Sequence, residues 1–263
     1  MEFIDHCFVI CAYKESEYLE SCIESLKAQT VSPDIKMVTS TPNDFIKNMA
    51  EKYHIPLIIR EGKSSLKDDW NFAYNTAGTE WMTIAHQDDL YDCHYLEELS
   101  SVLIRYKDAT IGITDYIPIK NGKIGPRDIN SKMQRILRSP MKRKLLNNKR
   151  FWKIRSLSLG VSIKCPCVCY HRSILGPSIF TSDMKQCIDW DTFYQLANRE
   201  GRFVVVDKPL LYYRIHDEAT SKVLITNHLR EKEDREMFEK FWPKWIAKIL
   251  MKFYKKAYST YDN

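Results

Sequence analysis

Apolar runs and amphipathic segments alternate along the first part of the chain. The run "CFVICAY" at residues 7–13 predicts a buried strand, because it is almost entirely apolar. Leu19, Cys22, Ile23 and Leu26 then recur at the spacing of one helix face. The chain therefore begins with a strand followed by a helix.

The same alternation continues as far as residue 106. Further strands are predicted at 35–40, 55–61 and 80–85, and further helices at 41–50, 70–77 and 96–106. Strands that alternate with helices predict a parallel sheet covered by helices. Later in the chain, residues 111–119 and 165–171 are predicted strands, 190–201 a helix that Gly201 ends, and 202–216 extended structure broken at Pro209.

The composition is that of a globular protein, with 263 residues of which 44% are hydrophobic and 28% charged. No apolar run approaches the roughly 18 to 20 residues of a membrane span, and the acidic start is unlike a secretory signal. A cytoplasmic location is therefore expected. Cys165, Cys167 and Cys169 alternate along a predicted strand, which favours buried reduced thiols over a zinc site.

The net charge of +6 is unevenly distributed. Residues 129–182 contain twelve Lys or Arg and no acid, so the remaining 28 basic and 34 acidic residues sum to −6. A concentrated positive charge suits an anionic partner, which leaves phosphate, a membrane surface or nucleic acid open.

Polar residues follow two of the predicted strands. Asp88 and Asp89 come soon after the strand at 80–85, and Tyr13 and Glu15 follow the first strand. Ligands bind beyond the carboxyl ends of strands in parallel sheets. Adjacent carboxylates repel, so the aspartate pair is either exposed to water or balanced by a divalent cation.

Several motifs occur together in the order found in one enzyme family. They are "VICAYKESEYLESCIESLKAQT", "AHQDDLYD" and "IDWDTFYQLANREGRFVVVDKPLLYYRIH", with Ser221 after the last of them. Through these motifs the chain, over roughly residues 5 to 221, resembles the family 2 glycosyltransferases, nucleotide-sugar enzymes of the GT-A fold. It departs from the family pattern at His86 and Ile188, where acids are usual, at Lys14, where Asn is usual, and at "VTSTPND", where many members have an acidic segment.

The resemblance implies a GT-A-type, Rossmann-like, mostly parallel α/β sheet with a C-terminal helical extension. The expected glycosyltransferase domain covers residues 1–221, with a nucleotide-sugar-binding part at 1–117 and an acceptor and catalytic part at 118–221. Residues 222–263 form the expected extension.

The resemblance also implies an inverting, metal-dependent sugar transfer from a nucleotide-sugar donor, with UDP the expected carrier. Asp88 is expected to hold Mn²⁺ or Mg²⁺, with Asp89 and His216 as further candidate ligands. Asp189 is expected to be the catalytic base, although an acid in the first turn of a helix also has a purely structural explanation. The expected nucleotide-sugar-binding residues are Ala12, Tyr13, Glu15, Trp70, Asn71, Gln87, Asp88 and Arg214.

Two other functions compete with this interpretation. A sugar nucleotidylyltransferase should open with a glycine-rich loop, but "CAYKESEY" contains no glycine. A basic membrane or nucleic-acid adaptor built on residues 129–182 is the non-enzymatic alternative. No RNP-like, helix-turn-helix or zinc-finger pattern is present, so no nucleic-acid partner is expected.

The C-terminus predicts a basic amphipathic helix beyond Pro243. One side carries Trp245, Ile246, Ile249, Leu250, Phe253 and Tyr254, and another carries Lys244, Lys248, Lys252, Lys255 and Lys256. Such a helix either packs on the domain or lies on an anionic membrane. If the helix lies on a membrane, we expect the protein to attach peripherally at the inner face of that membrane. The expected acceptor is then a glycan or lipid-linked saccharide in cell-surface polysaccharide synthesis.

Overall fold

The computed structural model describes residues 2–120, 122–127, 129–215 and 229–258, with side chains as far as residue 255. In these ranges one sheet contains the strands β1 (His6–Cys11), β2 (Asp34–Thr39), β3 (Leu57–Ile59), β4 (Trp81–His86), β5 (Leu90–Tyr91), β6 (Ala109–Lys120), β7 (Lys123–Ile124), β8 (Val168–His171) and β9 (Arg202–Ile215). Their order is β3-β2-β1-β4-β8-β6-β9-β5, and β7 pairs with β6. The pairs among β1 to β4 are parallel, whereas β8 is antiparallel to both β4 and β6.

Helices cover both faces of this sheet. They are α1 (Leu19–Lys27), α2 (Asp44–Lys52), α3 (Leu66–Thr76), α4 (Tyr95–Leu103), α5 (Ile129–Arg138), α6 (Arg150–Leu157), α7 (Arg172–Leu175), α8 (Ile188–Ala197), α9 (Leu229–Phe241) and α10 (Lys244–Tyr258). One buried apolar cluster joins α1, α2 and α4 to the sheet, and a second joins α3, α8, α9 and α10 to its other face. The early alternation of strands and helices is confirmed.

Three local predictions need correction. Residues Cys165–Cys167 form a 3₁₀ turn, so only Val168–His171 is a strand, although all three thiols in this stretch are free and buried. Strand β9 continues through Pro209, because a bulge places Asp115 of β6 opposite Pro209 after pairing Ile113 with Val205. Helix α8 ends at Ala197, four residues before Gly201.

Gly201 nevertheless has a specific structural role between α8 and β9. Its φ of +94° lies in the region that favours glycine, and a Cβ there would lie 2.5 Å from Thr110 Cγ2 and 2.8 Å from the Asp108 carbonyl oxygen. We expect Gly201→Ala to lower the free energy of unfolding by about 1 to 3 kcal/mol. Thermal melting checks this, with Gly122→Ala as the control, since Gly122 also has a positive φ but no neighbour within 4 Å. Equal losses in both variants would contradict the packing part of this argument.

Much of the basic segment is paired within the protein. Arg138 donates to Asp115 at 2.6 Å, and Arg135 contacts Asp207 at 3.0 Å. The buried Lys153 ammonium donates to the carbonyl oxygens of Arg199 and Gly201. Several cations of residues 129–182 therefore hold the fold together. Binding of an anionic partner by the rest of the segment stays a prediction.

In the part of the chain that the structure describes, no helix has the length and apolar character needed to cross a membrane.

Candidate active site

The ends of β1 and β4 lie side by side and bring two sequence motifs together. The strands are parallel, with Cys11 opposite His86. The Gln87 side chain then joins the two loops, since it accepts from the Tyr13 N–H at 2.9 Å and donates to the Tyr13 carbonyl at 3.0 Å. Lys14 turns the chain with φ +54°, a conformation that Asn tolerates better than most residues.

A cavity of about 980 Å³ opens at these strand ends. Its volume is at the upper end of the range usual for small-molecule sites. The predicted site residues that line it are Ala12, Tyr13, Glu15, Trp70, Gln87, Asp88 and Asp189. The structure therefore brings residues separated by up to 177 positions in sequence, from Ala12 to Asp189, to one cavity. Their individual roles stay predictions.

His86, Asp88 and Asp89 form a cluster that fits a metal ion. Their possible ligand atoms all lie within 4.8 Å of one another. Two polar atoms of the cluster, His86 Nε2 and Asp89 Oδ2, are buried without a hydrogen-bond partner. Burial lowers the pKa of His86, so its ring is neutral near pH 7 and able to act as a ligand. A divalent cation would satisfy a carboxylate and imidazole set of this kind.

Asp89 lies deeper than Asp88 and is held by Arg214. The Arg214 N–H donates to Asp89 Oδ1 at 2.9 Å, and its guanidinium donates to the Asp88 carbonyl oxygen at 2.8 Å. Desolvation, followed by repulsion from Asp88, raises the pKa of Asp89. Arg214 stacks on Tyr18 at 4.3 Å and is not among the cavity-lining residues, so its described contacts brace the acidic loop.

Asp189 lies in the first turn of α8 and faces the cavity. Its Oδ1 accepts the N–H of Trp190 at 2.7 Å. Enclosure by the protein raises the pKa of this carboxyl. Asp191 of the same helix points away from the cavity. Its carboxylate pairs with Lys240 of α9, and the residue is not among those that line the cavity.

The loop before Asp189 is anchored by a residue that sequence reasoning missed. The buried Glu233 of α9 accepts the backbone N–H groups of Lys185, Gln186 and Cys187 at 2.9, 2.8 and 3.0 Å. The next residue, Asp234, accepts from the Cys187 thiol and pairs with Arg230 at 3.1 Å. Helix α9 thereby fixes the start of α8, and no local pattern in the sequence indicates this contact.

A second missed group lies at the ends of β2 and β3. Asp69 accepts from Arg60 at 2.7 Å, from Ser40 at 3.0 Å and from Ser64 at 2.9 Å, and all four residues line the cavity. Arg60 comes directly after β3, and ligands bind at the carboxyl ends of parallel strands, so its position in the sequence could have indicated a site residue. The segment "VTSTPND" has no acid directly at the end of β2. Asp69 places a carboxylate near that strand end instead.

Trp70 and Asn71 are neighbours on α3, but only Trp70 lines the cavity. Asn71 is not among the lining residues, and its amide instead exchanges hydrogen bonds with the backbone of Phe180 at 2.8 and 3.2 Å. Trp70 does line the cavity and packs against His86 with ring centroids 5.6 Å apart. The predictions for His216 and Ser221 fall outside the described residues.

Sequence comparison identifies the family. The model of the family described as "Glycosyl transferase family 2" matches residues 7–163, which is more than half of the chain and includes the Asp88 motif. The chain belongs to glycosyl transferase family 2. This membership confirms the resemblance inferred from the motifs and favours a transferase over the adaptor and the nucleotidylyltransferase. No curated protein matches the chain.

Solved structures of other proteins share the fold of this family 2 member. TarS of S. aureus (fragment 1–349) is 13% identical, with a TM-score of 0.61 over 94% of this chain and 69% of the other. The same fragment in complex with UDP-GlcNAc has 16% identity and a TM-score of 0.59, over 94% and 70% of the two chains. The mannosyltransferase PcManGT from Pyrobaculum calidifontis, in complex with GDP-Man and Mn²⁺, has 12% identity and a TM-score of 0.63, over 95% and 70%. These matches confirm the predicted GT-A fold class.

Proposed function

We propose that this family 2 protein transfers a sugar from a nucleotide-sugar donor to an acceptor hydroxyl with the help of a divalent cation. The observation that carries the proposal is that His86 and Asp88 line the same cavity as Asp189, with the buried Asp89 in one cluster with them. The family match supports the transferase class, and the neighbours that hold UDP-GlcNAc or GDP-Man support a nucleotide-sugar donor.

On the donor side, the residues bind and orient a diphosphate. Asp88 would hold Mn²⁺ or Mg²⁺, with Asp89 and His86 beside it, and Mn²⁺ is the ion in the PcManGT complex. When bound, the cation offsets the charge that develops on the leaving diphosphate. Tyr13 is 45% exposed at the cavity and can stack on the base, while Glu15 can accept from ribose hydroxyls.

On the acceptor side, Asp189 takes the proton of the attacking hydroxyl. Its carboxylate cannot deprotonate an alcohol in advance, but it accepts the proton as the new glycosidic bond forms and the bond to the diphosphate breaks. The raised pKa makes it a better proton acceptor than an exposed aspartate. This single displacement inverts the configuration at the anomeric carbon. Glu233, through the loop at 185–187, positions Asp189 for that step.

The finer assignments extend the same proposal. UDP is the expected carrier, and a saccharide, free or lipid-linked, is the expected acceptor in synthesis of a cell-surface polysaccharide. The enzyme would work in the cytoplasm, peripherally at the inner face of the membrane. The basis for the membrane assignment is the surface of α10, which is considered separately below.

A donor screen tests the proposed function. The purified chain is incubated with a panel of UDP- and GDP-sugars and mixed saccharide acceptors, and released nucleoside diphosphate is measured with Mn²⁺ and with excess chelator. We expect release from a subset of donors in Mn²⁺ only, because the diphosphate needs its counter-charge to leave. The anomeric configuration of the product, read by NMR, should be opposite to that of the donor. Release that continues in chelator, or a product of retained configuration, would contradict the proposed mechanism.

A further inference from the structure

Two helices contribute residues to the lining of the cavity. Helix α5 turns Gln134 and Leu137 toward the cavity, and helix α10 turns Leu250 and Tyr254 toward it. Tyr254 contacts Trp190 and Phe238, so α10 is seated on the domain by this inner face. The outer faces of both helices are therefore presented beside the opening of the cavity.

These outer faces carry large apolar side chains at helical spacing. The rim stripes, as we call them, consist of Ile129, Met133 and Ile136 on α5 and of Trp245, Ile249 and Phe253 on α10. Trp245 and Phe253 are each 67% exposed, and Ile129 is 81% exposed. Single exposed apolar residues are ordinary, but two regular stripes beside one cavity indicate an interaction surface. Met133 and Phe253 belong both to the stripes and to the cavity lining.

Positive charge accompanies the stripes. Lys244, Lys248 and Lys252 are exposed on α10 next to its apolar stripe, and Lys132 is exposed on α5. The α10 sequence from 244 to 258 contains no acid. A helix with an aromatic and aliphatic stripe flanked by lysines has the chemistry of an element that lies in the interface of an anionic bilayer. A second copy of this chain fits less well, because a two-fold contact through α10 would oppose lysines to lysines.

We propose that the rim stripes and their flanking lysines dock on an anionic membrane surface, so that the cavity opens toward the bilayer and takes a saccharide acceptor carried on a lipid. The acceptor part of this inference rests on the proposed function, whereas the docking part rests on the surface alone. Trp245 would sit at the level of the headgroups, as tryptophan prefers, and the lysines would face the anionic phosphates.

Co-sedimentation with vesicles tests the docking. The full chain is mixed with vesicles of phosphatidylcholine alone or of phosphatidylcholine with phosphatidylglycerol, at low and at high salt. We expect the chain to pellet with the anionic vesicles at low salt, to bind more weakly at high salt, and to stay in the supernatant with neutral vesicles. Absence of binding to anionic vesicles at low salt would overturn the proposal.

Surface variants locate the contact. The double variant Trp245→Ser with Ile249→Ser should weaken binding to anionic vesicles by about tenfold or more, because it removes apolar surface from the stripe. Ile104→Ser is the matched control, since Ile104 is 40% exposed beyond α4 on the other face of the sheet. A melting curve shows that each variant is folded. Equal binding by the double variant and the wild type would overturn the assignment of the surface.

A charge comparison adds a test that needs no apolar substitution. Changing Lys244, Lys248 and Lys252 to Gln should weaken the binding by about tenfold, whereas the same change at the exposed Lys27, Lys47 and Lys107 should have little effect. Equal losses of binding in the two triple variants would overturn the docking site. A dimer in solution that dissociates when Trp245 and Ile249 are changed would also overturn it. Nucleoside diphosphate binding measured in parallel separates a failure of docking from a failure of the proposed function.

Discussion

Asp189→Asn is expected to lower kcat by about 10² to 10⁴, with the affinity for donor nearly unchanged. The amide keeps the shape of the side chain but cannot accept the proton of the attacking hydroxyl. A base acts in the transition state and contributes little to binding of the ground state. Steady-state kinetics together with calorimetric donor binding measure the two effects. Comparable kcat with weakened donor affinity would make Asp189 a binding residue.

Asp191→Asn on the same helix is the control for this change. Its carboxylate pairs with Lys240, so the variant should lose stability while it keeps its kcat. The pH profile gives a further readout, because Asp189 must be ionised to act. Its raised pKa means that activity is present above that pKa and is lost as the pH falls through it. The acid limb of the wild-type profile should therefore lie above the ordinary aspartate value of about 3.8.

Asp88→Asn is expected to lower metal-dependent turnover by about 100-fold or more, because even the loss of a residue that supports a metal ligand can cost that much. The melting temperature should stay close to that of the wild type. The amide retains the size of the side chain and loses the charge that holds a hard cation. Turnover against Mn²⁺ concentration, with a melting curve, measures this. Asp44→Asn is the matched control, because Asp44 on α2 has a 93% exposed side chain outside the cavity. Full activity of Asp88→Asn would exclude Asp88 as the essential ligand.

The local parts of the fold and site could be predicted from the sequence. The strand at 81–86 and the helices α1 to α4 follow from apolar spacing within single segments. The meeting of Tyr13 with Gln87 follows from one general property of parallel sheets, that their carboxyl ends share an edge. These inferences need only short-range pattern and topology.

The contacts between distant segments could not be predicted. Glu233 lies 46 to 48 residues from the loop that it anchors, and nothing in its helix indicates that partner. The segment 129–182 contains no acid, so its charge suggested a partner outside the protein. Asp115 and Asp207, which pair with Arg138 and Arg135, lie elsewhere in the sequence. Pro209 indicated a break, but a bulge opposite β6 accommodates it within a continuous strand. In each case the answer depends on which elements pack together.

The central claim is that the acidic cluster at the end of β4 binds a nucleoside diphosphate through a divalent cation. Calorimetric titration of UDP and of GDP into the wild type, Asp88→Asn and Asp44→Asn, in Mn²⁺ and in excess chelator, tests it most directly. In Mn²⁺, we expect at least one of the two nucleotides to bind both the wild type and Asp44→Asn. In chelator, we expect neither of these proteins to bind it. Asp88→Asn should not bind it in either condition. Absence of binding of both nucleotides to the wild type in Mn²⁺, or equal affinity in chelator, would contradict it.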